Sequence, residues 1–228
     1  MRLHRFYITD HELKHDFWLQ DERLIHQWRK VLRMQPGQEV VLFDGVNEDR
    51  LYKLAELTDK EAHLQLVTEM ARKTPAKEVY LLFSLLKKDK NDWVLQKCTE
   101  LGASHFVPLL ADRSEKTGFN RERAEKIIIE AAEQCGRSDI PAVREPMHIT
   151  TTLEELSKKA NLYICEEDGT DVVESISGSV GVLIGPEGGW SDAEKQLFKD
   201  KHIKHLNLHD FTLRAETAAV AATAKLLQ

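Results

Sequence analysis

The chain has 228 residues, a net charge of −6 and a hydrophobic share of 42%. That length accommodates one large domain or two ordinary ones with a sizeable core. The acidic balance excludes a molecule-wide basic footprint for nucleic acid and leaves only a local basic face for that role. No apolar run nears the ~18 residues a membrane span needs, and the start MRLHRFYITDHELKH lacks the apolar stretch of a secretory signal. Three scattered cysteines, Cys98, Cys135 and Cys165, with no C-x-x-C pair, predict reduced thiols in a cytoplasm.

In chain order, HELKH at residues 11–15 matches the zinc-hydrolase pattern, with His11 and His15 as ligands and Glu12 as base. No apolar stripe is there to bury such a helix, so a solvated loop and no metal are expected. DERLIHQWRKVLRMQPG predicts a short helix closed by Pro36 and Gly37. Residues 38–69 alternate short apolar stretches with Asp-Gly and Asp-Lys turns, the pattern of a small antiparallel β unit. MARKTPAKE, polar and basic around Pro75, predicts a domain linker. Beyond it EVYLLFSLL reads as a buried strand and KNDWVLQKCTELG as a helix stopped by Gly102. FVPLL is a strand and NRERAEKIIIEAAEQCG a helix stopped by Gly136. NLYICEE, VGVLIG and IKHLNL predict strands, SDAEKQLFKDK a helix, and AETAAVAATAKLL an alanine-rich closing helix. Such alternation predicts a mainly parallel sheet covered on both faces. No internal repeat or low-complexity segment is present.

Three motifs stand out. VGVLIGPEGGWSDAE runs from a strand into Gly185-Pro186-Glu187-Gly188-Gly189 and then a helix start. Neither phosphate-loop fingerprint is present. Ser191 and Glu194 form a capping-box pair, so the helix begins at about Asp192. Glycines let a ligand approach the backbone, and strand carboxyl ends are where open α/β sheets bind ligands. A carboxylate there suits hydroxyls or a cation better than phosphate. The same spacing also fits a tight connection with a solvent-facing glutamate. In LNLHDFTLRAETAAVAA, Arg214 and Glu216 enter the last helix either as an ordinary ion pair or as site groups. EAAEQCGRSDIP places Glu130, Gln134 and Arg137 at a helix end, as a cap favoured by the helix dipole or as a phosphate contact.

Taken in order, RFYI, HQWRKVLRMQPG, FDG, KCTELG, EAAEQCGRSDIP, IGPEGGWSDAE and LRAETA span residues 5–218. The chain resembles the RsmE family, the 16S rRNA (uracil-N3)-methyltransferases of the SPOUT class. The resemblance implies an α/β fold class. It comprises a C-terminal SPOUT domain with a deep trefoil knot and a mainly parallel sheet, at 75–228, and a small N-terminal PUA-like β-barrel for RNA at 1–71. It implies S-adenosyl-L-methionine as cofactor, an obligate homodimer, and 16S rRNA or the 30S ribosomal subunit as partner, with no metal and no membrane.

The resemblance places the cofactor at Cys165, Glu166, Ile184, Gly185, Pro186, Glu187, Gly188, Gly189, Leu208 and Leu213. Within that frame Arg214 is read as stabilising charge on uracil and Glu216 as orienting it. Either Glu216 or Glu187 can take the N3 proton. RNA candidates are Arg2, Arg5, Arg29, Lys30, Arg33, Lys87, Lys88, Lys90 and Arg137. One departure is His209, where the family pattern has glycine, so its side chain must turn outward or the loop must shift. The alternatives are a SPOUT enzyme acting on a ribose 2′-oxygen and a non-catalytic dimeric RNA-binding protein.

Overall fold

In a computed structural model, which describes residues 3–9, 13–87, 89–115, 118–166 and 178–227, the chain forms two compact units. One comprises Met1–Thr74 with Ala132–Asp139, the other Pro75–Ala131 with Ile140–Gln228.

The first unit begins with β1 (His4–Tyr7) and β2 (Asp16–Leu19). Helix α1 (Glu22–His26) follows and runs on as a π-helical turn over Gln27–Val31. The side chain of Asp21 caps α1 by accepting the Leu24 N–H at 3.0 Å, as a short polar side chain does at a helix start. Then come β3 (Glu39–Phe43), β4 (Asp49–Leu57) and β5 (Ala62–Met70). The expected antiparallel unit is β3-β4-β5, but the sheet is larger, in the order β1-β3-β4-β5-β2. The two edge strands are only four residues each and carry little periodicity, which hides them in the sequence. All five strands and the helical segment feed one core through Phe6, Leu19, Trp28, Leu42, Tyr52 and Leu64.

The segment EAAEQCGRSDIP contributes to this unit rather than only ending a helix. The Glu133 carboxylate accepts the Tyr7 N–H at 2.9 Å, and Ser138 Oγ donates to Asp49 Oδ2 at 2.7 Å. Asp49 is 1% exposed and also pairs with Arg5 at 2.6 Å.

The second unit contains β6 (Val79–Ser84), α2 (Asp89–Leu101), β7 (His105–Leu110) and most of α3 (Arg121–Cys135). Next are β8 (Ala142–Val143), β9 (Met147–His148) and α4 (Ile149–Leu156). The unit ends with β10 (Asn161–Cys165), β11 (Val180–Ile184), α5 (Asp192–Asp200), β12 (Lys204–Leu206) and α6 (Ala215–Leu227). The sheet order is β12-β10-β11-β6-β7-β8, with β9 also on β7, and every ladder is parallel.

Alternate residues of β6 serve opposite faces, as strand geometry requires. Val79, Leu81 and Phe83 join α2, α3 and α6, while Tyr80 and Leu82 join α4 and α5. This two-sided burial explains why the strands read as continuous apolar runs. Helix α4 and the two-residue strands β8 and β9 have no counterpart among the sequence expectations, and β12 is three residues long rather than six. No helix among the described residues is long and apolar enough to cross a membrane.

Candidate methyl-donor site

Strands β12, β10 and β11 lie side by side and parallel, so their carboxyl ends open in one direction. The chain leaving these ends, with Lys90 of α2 and the start of α6, lines a cavity of 680 Å³. That lies within the roughly 300–1,000 Å³ range of small-molecule sites, at the sheet end where α/β folds bind ligands.

The glycine turn after β11 is fixed by its helix cap. Ser191 Oγ accepts the Glu194 N–H at 3.2 Å while Glu194 accepts the Ser191 N–H at 2.7 Å, which closes the expected capping box. Glu194 also accepts the Asp112 N–H at 2.8 Å, and Ser191 Oγ donates to Asp112 Oδ2 at 2.5 Å. The cap therefore ties the turn to the segment following β7. Gly189 takes φ +68°, which closes the turn through its N–H to the Pro186 carbonyl at 2.9 Å. Gly185 is required for a different reason: a Cβ there would lie 3.1 Å from the Trp190 indole. Trp190, 4% exposed, packs edge-on against Phe198 and cannot retreat freely.

Charge in the cavity centres on Lys90. Its Nζ lies 3.2 Å from Glu187 Oε1 and 3.2 Å from Glu216 Oε2. Asn91 sets the start of its helix by pairing both amide atoms with the Leu86 backbone, at 2.9 and 3.0 Å. Arg214, at the entry to α6, is exposed, and its carbonyl accepts the Ala218 N–H at 2.8 Å. Burial pushes the Cys165 thiol up to about 12, so it stays neutral and lines the cavity without acting as a nucleophile. Glu166 pairs with His205 at 3.1 Å across the ends of β10 and β12.

The loop 207–214 accommodates His209 without left-handed backbone. His209 lines the cavity, and its imidazole accepts the Phe211 N–H on Nδ1 at 3.1 Å and stacks on the Phe211 ring. Lys225 of α6 donates to the Asn207 carbonyl at 2.8 Å and anchors the start of the loop.

The residues named from the sequence distribute as follows. Cys165, Glu166, Ile184, Gly185, Pro186, Glu187, Gly189, Leu208, Leu213 and Arg214 line the cavity. Gly188 faces elsewhere, its carbonyl accepting from Arg113 at 3.2 Å. Glu216 pairs with Lys90, and Lys90 belongs to this site. Arg5 is bound to buried Asp49, and Arg137 is 6% exposed with its fork on Asp139, 2.6 and 3.0 Å away. Arg29 pairs with Asp59 and Lys87 with Glu115. Lys30 and Arg33 are exposed. Arg2 and Lys88, like His11 and Glu12, lie outside the described residues. Trp190, Phe211 and Asn207 also line the cavity, and residue type alone gave no signal for them. Among the described residues no group of three His, Cys, Asp or Glu side chains is placed to hold a metal.

Comparison with known proteins assigns a class to this site. Residues 72–227 match the RNA methyltransferase domain family, and residues 29–67 match the RNA methyltransferase PUA domain family. Fold and cavity thus define an RNA methyltransferase with a PUA module. The ribosomal RNA small subunit methyltransferase E of Helicobacter pylori is 33% identical over 174 residues, 74% of this chain and 75% of that protein. That of Rickettsia conorii is 27% identical over 237 residues, covering 99% and 96%. The Neisseria gonorrhoeae enzyme, solved bound to S-adenosyl methionine, superposes with TM-score 0.88 at 26% identity, covering 98% of this chain and 96% of that one. The chain belongs to the ribosomal RNA small subunit methyltransferase E (RsmE) family.

Proposed function

We propose that this protein transfers a methyl group from S-adenosylmethionine to N3 of one uridine in 16S rRNA. The observation that carries the reading is a full-length likeness to a cofactor-bound RsmE structure in a chain whose own strand ends enclose a cavity of suitable size.

The donor set fits that cofactor. The glycine turn offers a carboxylate and no lysine, and Lys90 beside it is already engaged by two carboxylates, so the turn itself presents no free cation to a phosphate. Ile184, Leu206, Leu208 and Leu213 give apolar walls for a purine. The Trp190 indole N–H, buried at the cavity, has no acceptor among the described residues. Cys165, Glu166, residues 184–189, Leu208 and Leu213 would hold the cofactor. When bound, it supplies an electrophilic methyl on a sulfonium.

The chain's own residues carry the remaining chemistry. Uridine N3 is a weak nucleophile while protonated, so its proton must leave and the charge spread to O2 and O4 must be balanced. Arg214, exposed at the cavity, balances that charge. The proton goes to the Glu187–Glu216 pair, and Lys90 remains bound to whichever carboxylate stays ionised.

We also assign residues 1–71 to RNA binding and 75–228 to methyl transfer, supported by the two domain matches and the division after Thr74. The RNA face includes Lys30 and Arg33. A cytoplasmic homodimer acting on the 30S subunit completes the reading. Trp93 and Leu101 of α2, 41% and 40% exposed, support dimerisation through that helix. A deep trefoil knot around β10, β11 and β12 is inferred from family membership.

The test is incubation of 30S subunits and naked 16S rRNA from a strain lacking this protein with enzyme and cofactor, followed by nucleoside mass spectrometry. 3-Methyluridine is expected. A 2′-O-methyl nucleoside, or no added methyl, would overturn the reading.

A further inference from the structure

Of the exposed large apolar side chains among the described residues, Phe211 is the one that lines the cavity. It is 74% exposed. A lone surface phenylalanine is ordinarily unremarkable, but this one is held in place rather than trailing in solvent. Its N–H donates to His209 Nδ1 at 3.1 Å. Its ring stacks on the imidazole, with centroids 5.0 Å apart and planes inclined by 27°. One ring face is therefore backed by a second aromatic, and the other is open. The same loop carries Arg214 three residues on, lining the same cavity.

We propose that Phe211, backed by His209, is the stacking platform that receives the target uracil once it is unpaired from the rRNA; this rests on the methyltransferase reading above. A base taken out of a helix loses its stacking partners, at a cost of a few kcal/mol, and an aromatic face at the reaction mouth offsets part of that loss. Stacking suits the task because it recognises the planar ring and leaves its carbonyl edges to a cation. His209 and Phe211 thus supply the face, and Arg214 the edge contact, from one loop. This also gives a role to the histidine that departs from the family pattern: it lines the cavity and its ring backs the platform.

The experiment compares wild type with Phe211→Ala, Phe211→Leu and Phe211→Trp. For each it measures kcat/KM on 30S subunits, cofactor affinity by calorimetry and self-association by sedimentation. Loss of aromatic–base stacking predicts that Phe211→Ala lowers kcat/KM for RNA roughly 5- to 100-fold, with cofactor affinity held within about two-fold. Phe211→Trp should retain activity, and Phe211→Leu should fall with the alanine variant. Full activity in Phe211→Leu would show that bulk rather than stacking matters and would overturn the platform. So would a fall in activity that tracks dissociation of the dimer, because Phe211 would then be covered by a second copy of the chain. Wild type that makes no 3-methyluridine fails the functional reading itself. Active wild type with equally active Phe211→Ala fails only the platform.

Discussion

Lys90 Nζ lies 3.2 Å from Glu187 Oε1, joining the first turn of α2 to the glycine turn after β11. The same ammonium reaches Glu216 at the start of α6. The hydrogen bonds it donates, to Glu187 first and then Glu216, raise its pKa above the usual lysine value of 10.5. A raised lysine pKa means the pair is complete below that value and is lost only as pH rises through the raised one. Lys90 is therefore a fixed cation throughout the neutral range, next to a cavity that must take a positively charged sulfonium.

That relationship gives a signed prediction for cofactor selectivity. Lys90→Met removes a positive charge and leaves two carboxylates at the cavity. S-adenosylmethionine carries a sulfonium and the product S-adenosylhomocysteine does not. The preference for substrate over product cofactor should therefore rise, by roughly three- to ten-fold for a partly screened interaction. Calorimetric titration of both molecules into wild type and variant measures it. An unchanged ratio would place Lys90 outside the electrostatics of the site.

Arg214 is predicted to act on the chemical step. Removing a donor aimed at developing charge costs roughly 10²–10³ in kcat. Arg214→Ala should show that loss while cofactor affinity stays within about two-fold, and Arg214→Lys should recover part of the rate. Near-normal turnover in Arg214→Ala would mean that the charge on uracil is balanced elsewhere.

Much of this site is legible in the chain before folding because its parts are local. The capping box at Ser191 and Glu194 depends on a three-residue spacing, and the structure closes it with both hydrogen bonds. Continuous apolar runs announce β6, β10 and β11 because both faces of the sheet are covered. What sequence order hides is long-range. Lys90 reads as one more surface lysine beside Lys87, and only the fold brings it to Glu187. Arg137 looks like a phosphate contact until its fork is seen on Asp139. Phe211 is a single aromatic in an irregular loop, with no period to mark it.

Gly185 should be intolerant of even one methyl group, and the cause can be isolated. A Cβ at 185 would sit 3.1 Å from Trp190 Cε2 and Nε1. Overpacking of this kind costs about 1–3 kcal/mol, or roughly 2–12 °C in Tm for a unit of this size. Gly185→Ala should also weaken cofactor binding, since the turn must shift. Combining it with Trp190→Phe, which removes the atoms in the way, should return part of the lost stability. The check is a double-mutant cycle by thermal melts. Strict additivity would show that residues 185 and 190 do not compete for the same space.

At the opposite end of the sheet, Glu78 makes the acid response of the fold predictable. Its carboxylate accepts from Ser179 Oγ at 2.5 Å and Tyr80 Oη at 3.1 Å, and His105 Nε2 lies 2.8 Å away. The Ser179 bond first, and the His105 bond second, hold its pKa below the usual glutamate value of 4.5. A depressed carboxylate contributes stability that is complete above the unfolded value and is lost as pH falls through the folded one. The carboxylate is 45% exposed, so screening limits the effect to about 0.5–1 kcal/mol. Glu78→Gln should thus lower Tm by roughly 1–3 °C at neutral pH. The gap should begin to close as pH falls below the usual 4.5 and vanish once pH has passed through the lower folded value, where the wild-type carboxyl is itself protonated. Thermal melts of both proteins across that window test it. A gap that stays constant with pH would mean that shape, rather than the charge on Glu78, joins the starts of β6, β7 and β11.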